Sequence, residues 1–375
     1  MNIGVLKEKE PEKRVALLPS QVNHFTSLKL DIMIEEGAGK GSYAGDSEYS
    51  EAGAGIVKRD DILKKADIIL SVSAPDSSTL KKISKGKILI STLNALSDKS
   101  MVTTLRDSGV TAFSLELIPR ISRAQSMDVL SNMATVAGYK AVLRAASELP
   151  RFFPMFMTAA GTIKPAKVLI LGAGVAGLQA IATSRKLGAV VEVFDVRSDV
   201  KEQVQSLGGK FIEVEGATED KSAGGYAVEQ TEEYKKRQSE MIQKHASNAD
   251  VVICTAQIPG KKAPVLVKKE TVSAMKPGSV IIDLAASTGG NCELTENGKT
   301  VEKDGVRIVG ESNFPSLMPS DASKMYGTNL INFSSLLFDK EGNFKLDMED
   351  EIVSGTCLTK DGEVINERIK SVLNL

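Results

Sequence analysis

KVLILGAGVAGLQAIATSRKLGAVVEVFD, residues Lys167 to Asp195, decides how this chain is read. An apolar run, Val168 to Leu171, enters the turn Gly172-Ala173-Gly174-Val175-Ala176-Gly177. A helix-like stretch follows, then a second apolar run, Val190 to Phe194, ending on Asp195. Each glycine has a task in such a unit. Gly172 permits a tight turn, Gly174 lets the backbone approach a pyrophosphate, and Gly177 lets the helix pack close to the strand. A pyrophosphate set there, beside Val175 and Ala176, meets unpaired N–H groups at the positive end of a helix dipole. Asp195 lies 18 residues past Gly177, where a carboxylate can accept both ribose hydroxyls of an adenosine. A 2′-phosphate would meet like charge at Asp195, which favours NAD(H) over NADP(H); Arg197, two residues on, weakens that argument a little. A bare GxGxxG is a poor signal, but strand, helix and acid in register make a dinucleotide-binding unit the expectation.

The rest of the composition is ordinary. The chain has 375 residues, enough for two domains, with 42% apolar and 25% charged residues and a net charge of −1. That balance gives no reason to expect nucleic acid or an anionic membrane as a partner. Cys254, Cys292 and Cys357 are far apart and show neither a disulfide framework nor a zinc spacing, so no metal is expected. The opening MNIGVLKEKEPEKR has no apolar core of a secretory signal. Phe152 to Ile163, FFPMFMTAAGTI, is apolar, but its 12 residues fall short of the ~20 a spanning helix needs. It reads as a buried connection into the first nucleotide-binding strand.

Outward from the glycine turn, strand-like and helix-like segments alternate. Strands are expected at Ile3 to Leu6, Asp31 to Glu35, Ile68 to Val72, Ile88 to Leu93 and Thr111 to Ser114. A second set is expected at Lys210 to Val214, Val251 to Thr255, Val280 to Asp283 and Val306 to Gly310. A long helix, Asp128 to Leu149, is expected to bridge two domains, and Ala322 to Leu337 to form a helix in the tail. Alternation of this kind argues for parallel sheets with helices on their faces. Thr218 to Tyr234, TEDKSAGGYAVEQTEEY, is charged and glycine-containing, and reads as a mobile lid or a solvated insertion.

Longer motifs point further. GVLKEKEPEKRVALLPSQV at the start, FDVR after the glycine turn, SAGGYA, and above all PRISRAQSMDVLSNMATVAGYKAV from Pro119 to Val142 carry a resemblance over nearly the whole chain. Together they resemble the NAD(H)-binding component, domain I, of proton-translocating nicotinamide nucleotide transhydrogenase, with alanine dehydrogenase as its nearest structural relative. The resemblance implies that Arg120, Gln125, Asp128 and Ser131 hold the carboxamide and ribose of the nicotinamide and orient the ring. It also implies that Tyr226 sits at the tip of a loop that closes over bound nucleotide. The plainer reading of Asp128 is a helix cap.

Alanine dehydrogenase reduces an imine and needs a cation and proton carriers. The segments that resemble its lysine, histidine and aspartate sites read SVSAP, TLNAL and AASTGG here, which leaves Ser73, Asn94 and Ser287. His24 and His245, the two histidines, read as surface residues, and Arg14, which matches that enzyme's carboxylate-binding arginine, reads as structural. Hydride transfer between two nicotinamides needs no general acid or base, only two rings held in a near-attack geometry. One fingerprint is present and Gly289-Gly290-Asn291 does not make a second, so NADP(H) is expected on a partner subunit.

The expectation is therefore an α/β protein of two Rossmann-like domains. One comprises residues 1–126 and 310–375; the NAD(H)-binding domain, 127–309, is inserted in it, with the cofactor in the cleft. By resemblance it is a peripheral subunit on the cytoplasmic face of the plasma membrane, a homodimer, held there by the NADP(H)-binding and membrane subunits of the transhydrogenase. One rival reading is a self-contained amino-acid dehydrogenase of the alanine type; a second is a non-catalytic NAD(H)-responsive binding module, which would not need the Arg120 to Ser131 cluster.

Overall fold

The computed structural model describes residues 1–214, 231–258 and 260–375. The chain divides into two compact units, Met1–Met133 with Pro315–Leu375, and Ala134–Phe314. The division falls a few residues beyond 127 and 309.

In the first unit β1 (Asn2–Val5), β2 (Asp31–Glu35), β3 (Gly55–Val57), β4 (Ile68–Ser73), β5 (Ile88–Thr92) and β6 (Thr111–Ser114) are all parallel. Their spatial order is 3-2-1-4-5-6, so the winding reverses between β1 and β4. Alternate residues of these strands feed different cores. Ile68, Leu70, Ile88, Ile90 and Phe113 join one apolar cluster, and Ile69, Leu89 and Ala112 the other. Burial on both faces is why the strands read as continuous apolar runs rather than alternating ones.

The second unit repeats the plan. A short antiparallel pair, β7 (Phe156–Thr158) and β8 (Gly161–Ile163), precedes β9 (Lys167–Leu171), β10 (Val190–Phe194), β11 (Lys210–Phe211), β12 (Val251–Cys254), β13 (Val280–Asp283), β14 (Thr300–Lys303) and β15 (Val306–Val309). Among the described residues the main sheet runs β11-β10-β9-β12-β13-β15-β14, parallel except for the edge strand β14. The order again reverses, here between β9 and β12. All four residues of β12 and all four of β13 are buried, each apolar side chain contributing about 1.5–3 kcal/mol relative to exposure. The chain then returns to the first unit, where β16 (Cys357–Lys360) lies antiparallel beside β6 and pairs with β17 (Glu363–Val364).

Helix starts follow local chemistry. Asp76, Asp98 and Asn366 each cap a helix by accepting a backbone N–H from Thr79, Met101 and Ile369. The long helix runs Val129–Glu148 and the tail helix Pro319–Ser334, the latter begun earlier than expected because Pro319 suits a first helical turn.

One expectation is overturned. Phe152 to Ile163 is not a buried connection: every residue of β7 and β8 is exposed, Met157 at 75%. The glycine at 161, with φ +119°, closes a hairpin that carries its apolar side chains outward. Its apolar composition was a poor guide because composition does not record which side of a short hairpin faces the core.

Candidate functional site

The glycine turn lies where the second sheet reverses its winding. β9 ends at Leu171 and the helix Val175–Lys186 begins three residues after Gly172. Gly172 adopts φ +103°, which L side chains rarely tolerate. At Gly177 an added Cβ would lie 2.0 Å from the Gly172 carbonyl oxygen, so the first turn of the helix touches the strand end directly. Gly138 plays the same part on the long helix, where a Cβ would lie 2.1 Å from the Ala176 carbonyl oxygen. Thr255, just past β12, donates its hydroxyl toward the Leu171 and Gly172 carbonyls, at 3.2 and 3.0 Å. At Gly174 a Cβ would meet nothing within 4 Å. That open cradle, beside the uncapped N–H groups of Val175, Ala176 and Gly177, fits a pyrophosphate.

Asp195 follows β10 on the adjoining strand. Its Oδ2 accepts the Ala173 N–H at 2.7 Å and the Arg197 Nη2 at 3.0 Å. Its Oδ1 accepts the Arg197 backbone N–H at 2.9 Å and the Arg197 Nε at 3.0 Å. The carboxylate expected to be free for a ribose is therefore filled by its own neighbours, and Arg197 grips it with a two-pronged bond. Burial, then the nearby Asp195 charge, raises the Tyr234 phenol above its ordinary range. Tyr226 and most of the proposed lid lie outside the described residues; Thr231 caps the helix Glu232–Asn248, so Glu232, Glu233 and Tyr234 belong to that helix.

The polar segment Arg120 to Ser131 belongs to the first unit. Arg120 and Gln125 are exposed, while Ala124 and Met127 anchor the turn in the core. Asp128 receives the Ser131 N–H at 2.9 Å and the Ser131 hydroxyl at 2.5 Å, the geometry of a cap on the long helix. The tail of the chain pins this segment from outside. Asn329 and Asn332 both donate side-chain amides to the Ser126 carbonyl, at 2.8 and 2.9 Å, and Asn132 donates to Asn329 at 2.7 Å. Arg123 forms a two-pronged pair with Asp350 at 2.7 and 2.9 Å, which with the Ile352 and Val353 N–H groups holds the Asp350 carboxyl down at about 2. Asn329, Asn332 and Asp350 escaped sequence reading because they lie about 200 residues away; a run of asparagines on one face of a buried helix was the available signal.

The positions without proton carriers are internally tied. Ser73 N–H and Val72 N–H bind the Glu8 carboxyl at 3.2 and 2.6 Å; burial pushes that carboxyl up to about 7 against those two bonds. Leu93 and Ala95, on either side of Asn94, bind Glu116 at 3.0 and 2.9 Å. Arg14 is held by Glu12 at 2.9 and 2.7 Å. Ser287 is exposed on a single helical turn. His245 is not a plain surface residue, since its Nδ1 meets Glu192 at 2.7 Å, and His24 rests edge-on against Phe25. Cys254 and Cys292 are buried thiols, pushed well up and up to about 11 by burial, which keeps them in the thiol form at neutral pH. Gly289 and Gly290, both with positive φ, turn Asn291 and Cys292 N–H onto the buried Asp283 carboxylate at 2.7 and 2.9 Å. Among the described residues no cluster of His, Cys, Asp and Glu is placed to hold a metal.

Two glycine substitutions separate packing from binding. Gly177→Ala is expected to cost about 1–3 kcal/mol in urea denaturation, since its methyl collides with the Gly172 carbonyl. Gly174→Ala is expected to leave the fold intact while weakening NADH binding about tenfold or more by fluorescence titration. Unaltered NADH affinity in Gly174→Ala contradicts the cradle.

Residues 4–137 match the N-terminal domain of the alanine dehydrogenase/PNT family and residues 141–367 its C-terminal domain. The chain is 48% identical over 376 aligned residues to the first portion of NAD(P) transhydrogenase subunit alpha of Rhodospirillum rubrum, covering 98% of each. A crystal structure of transhydrogenase from Sinorhizobium meliloti superposes with a TM-score of 0.89 at 44% identity, covering 97% of this chain and 100% of the other. Alanine dehydrogenase of Bacillus subtilis is 30% identical, over 98% of this chain and 94% of its own. The chain belongs to the alanine dehydrogenase/PNT family, and its sequence stands nearer to the transhydrogenase subunits than to that dehydrogenase.

Proposed function

We propose that this chain is the NAD(H)-binding alpha subunit of an NAD(P) transhydrogenase, an oxidoreductase that passes hydride between NADH and NADP+ held on a partner subunit. The observation that carries this reading is a pairing of features: a polar segment, Arg120 to Ser131, braced by Asn329, Asn332 and Asp350, and neutral side chains at Ser73, Asn94 and Ser287. A reaction that only requires aim keeps the brace and dispenses with the proton carriers.

NADH, when bound, supplies the hydride from its nicotinamide ring. The chain's own residues bind and orient. Gly172, Gly174 and Gly177, with the N–H groups of Val175 and Ala176, take the pyrophosphate, and Asp195, beside Arg197, reads the adenosine side. Gln125 and Arg120 fix the carboxamide, while Asp128 and Ser131 fix the start of the long helix and the ribose beside it. Tyr226 closes the nucleotide off from water by resemblance alone.

Proton movement belongs to other subunits in this reading. No helix among the described residues is long and apolar enough to cross a membrane. The chain is then peripheral on the cytoplasmic face, held by the NADP(H)-binding and membrane subunits. Mixing it with the NADP(H)-binding subunit is expected to yield hydride exchange between NADH and NADP+, and membranes carrying the partner subunits are expected to retain it on sedimentation. No exchange at any subunit ratio contradicts the assignment. In the same assay Gln125→Asn, which draws the amide back by one methylene, is expected to slow transfer about tenfold or more while the NADH dissociation constant moves less than about threefold. An unchanged transfer rate removes Gln125 from the role.

A homodimer is a component of the proposal. Phe152, Met155, Phe156, Met157 and Ile163 gather five large exposed apolar side chains on one short hairpin segment, more than a solitary soluble surface carries by chance. A second copy of the chain is the occupant proposed for it. Light scattering is expected to give a dimer for the wild-type chain and a folded monomer for Met157→Glu; a wild-type monomer at micromolar concentration contradicts the assignment.

A further inference from the structure

The adenosine acid of this chain is not an open acceptor. A carboxylate offers about four lone-pair positions, and at Asp195 all four face donors: Ala173 N–H, Arg197 N–H, and the Nε and Nη2 of the Arg197 guanidinium. The two backbone bonds fix the turn. The two guanidinium bonds also take one position on each carboxylate oxygen, but they come from a side chain, which rotamer change can withdraw without moving the backbone. One position on each oxygen is the pattern a vicinal diol makes when both hydroxyls bind one carboxylate. The Asp195 side chain is only 7% exposed and that of Arg197 24%.

We propose that Arg197 is a specificity-determining residue that stands in for the ribose diol on Asp195. NADH binds by exchanging its 2′- and 3′-hydroxyls for the guanidinium, one on each oxygen, while the backbone bonds from Ala173 and Arg197 remain. The pair also withholds Arg197 from any 2′-phosphate. Asp195 therefore rejects NADPH in two ways, by its own charge and by keeping the Arg197 guanidinium paired rather than open to the phosphate. The inference rests on the reading of this unit as the NAD(H) site and adds a role that the acid alone does not have.

The arrangement makes opposite predictions for the two partners. Removing Arg197 removes a competitor, so Arg197→Ala is expected to bind NADH about three- to tenfold more tightly, the net worth of a charge-assisted pair that no longer has to be broken. Asp195→Ala is expected to weaken NADH about tenfold and to strengthen NADPH about tenfold, because Arg197 is released to the 2′-phosphate. In Asp195→Ala/Arg197→Ala the gain toward NADPH is expected to vanish.

Calorimetric titration of NADH and NADPH into the purified full chain and the three variants reads all of this without a partner subunit. Arg197→Ala keeps both backbone bonds to Asp195, so its result stands even if the Asp195 variants fail to fold. Unchanged or weaker NADH binding by Arg197→Ala overturns the inference, as does equal NADPH affinity in Asp195→Ala and the double variant when both are folded. A wild-type chain that binds neither nucleotide overturns the site reading itself, and this inference with it; a wild-type chain that binds NADH normally while Arg197→Ala shows no gain overturns the inference alone.

Discussion

The carbonyl oxygen of Gly172 occupies space that a side chain at 177 would need, 2.0 Å from the position of its Cβ. Everything in the nucleotide unit is arranged around that contact. It brings the first turn of the helix Val175–Lys186 against the end of β9, so that the helix N–H groups open where the sheet reverses its winding. Thr255 and Asp195 then reach the turn from the neighbouring strands, one through the Gly172 carbonyl and the other through the Ala173 N–H. Removing either tie loosens a loop whose value lies in presenting bare backbone at a fixed place.

The first unit is wound in the same order, but its reversal point is used differently. Where β4 and β5 end, the orphan N–H groups of Val72, Ser73, Leu93 and Ala95 are answered by two carboxylates of the protein itself, Glu8 and Glu116. Ser73 and Asn94 are neutral there, and the cation beside Glu8, Arg14, is itself paired with Glu12. What the unit contributes instead is rigidity: the segment from Arg120 to Ser131 is seated by Ala124 and Met127 and tied by amides and an ion pair from the tail of the chain. A site that must aim a ring gains from such bracing, because a misplacement of about 1 Å can cost a hundredfold in rate.

Much of the fold was legible in the sequence for a local reason. Asp31 to Glu35, Thr111 to Ser114 and Val280 to Asp283 are short apolar runs bounded by polar turns, and each forms a strand with those limits. Strands without that signature escaped: Gly55–Val57 and Thr300–Lys303 lie at sheet edges, where one side is wet and the apolar run is lost. The glycine turn was legible because backbone constraints are written in residue type. The occupancy of Asp195 was not, since a sequence gives the distance between acid and arginine but not whether the side chain folds back. The asparagines bracing Ser126 were hidden by long-range placement, and the exposed hairpin at Phe156–Ile163 by an apolar composition that burial within one chain does not explain.

The central claim is that this protein positions a reduced nicotinamide and has no means of protonating an oxo or imino substrate. Glu8, with its carboxyl pushed up to about 7, is the group that would have to serve if the claim were mistaken. The direct measurement is NADH oxidation by the purified chain supplied with pyruvate and ammonia and no partner subunit. The account predicts no alanine above the uncatalysed background across pH 6 to 10, and robust turnover that Glu8→Gln abolishes would contradict it.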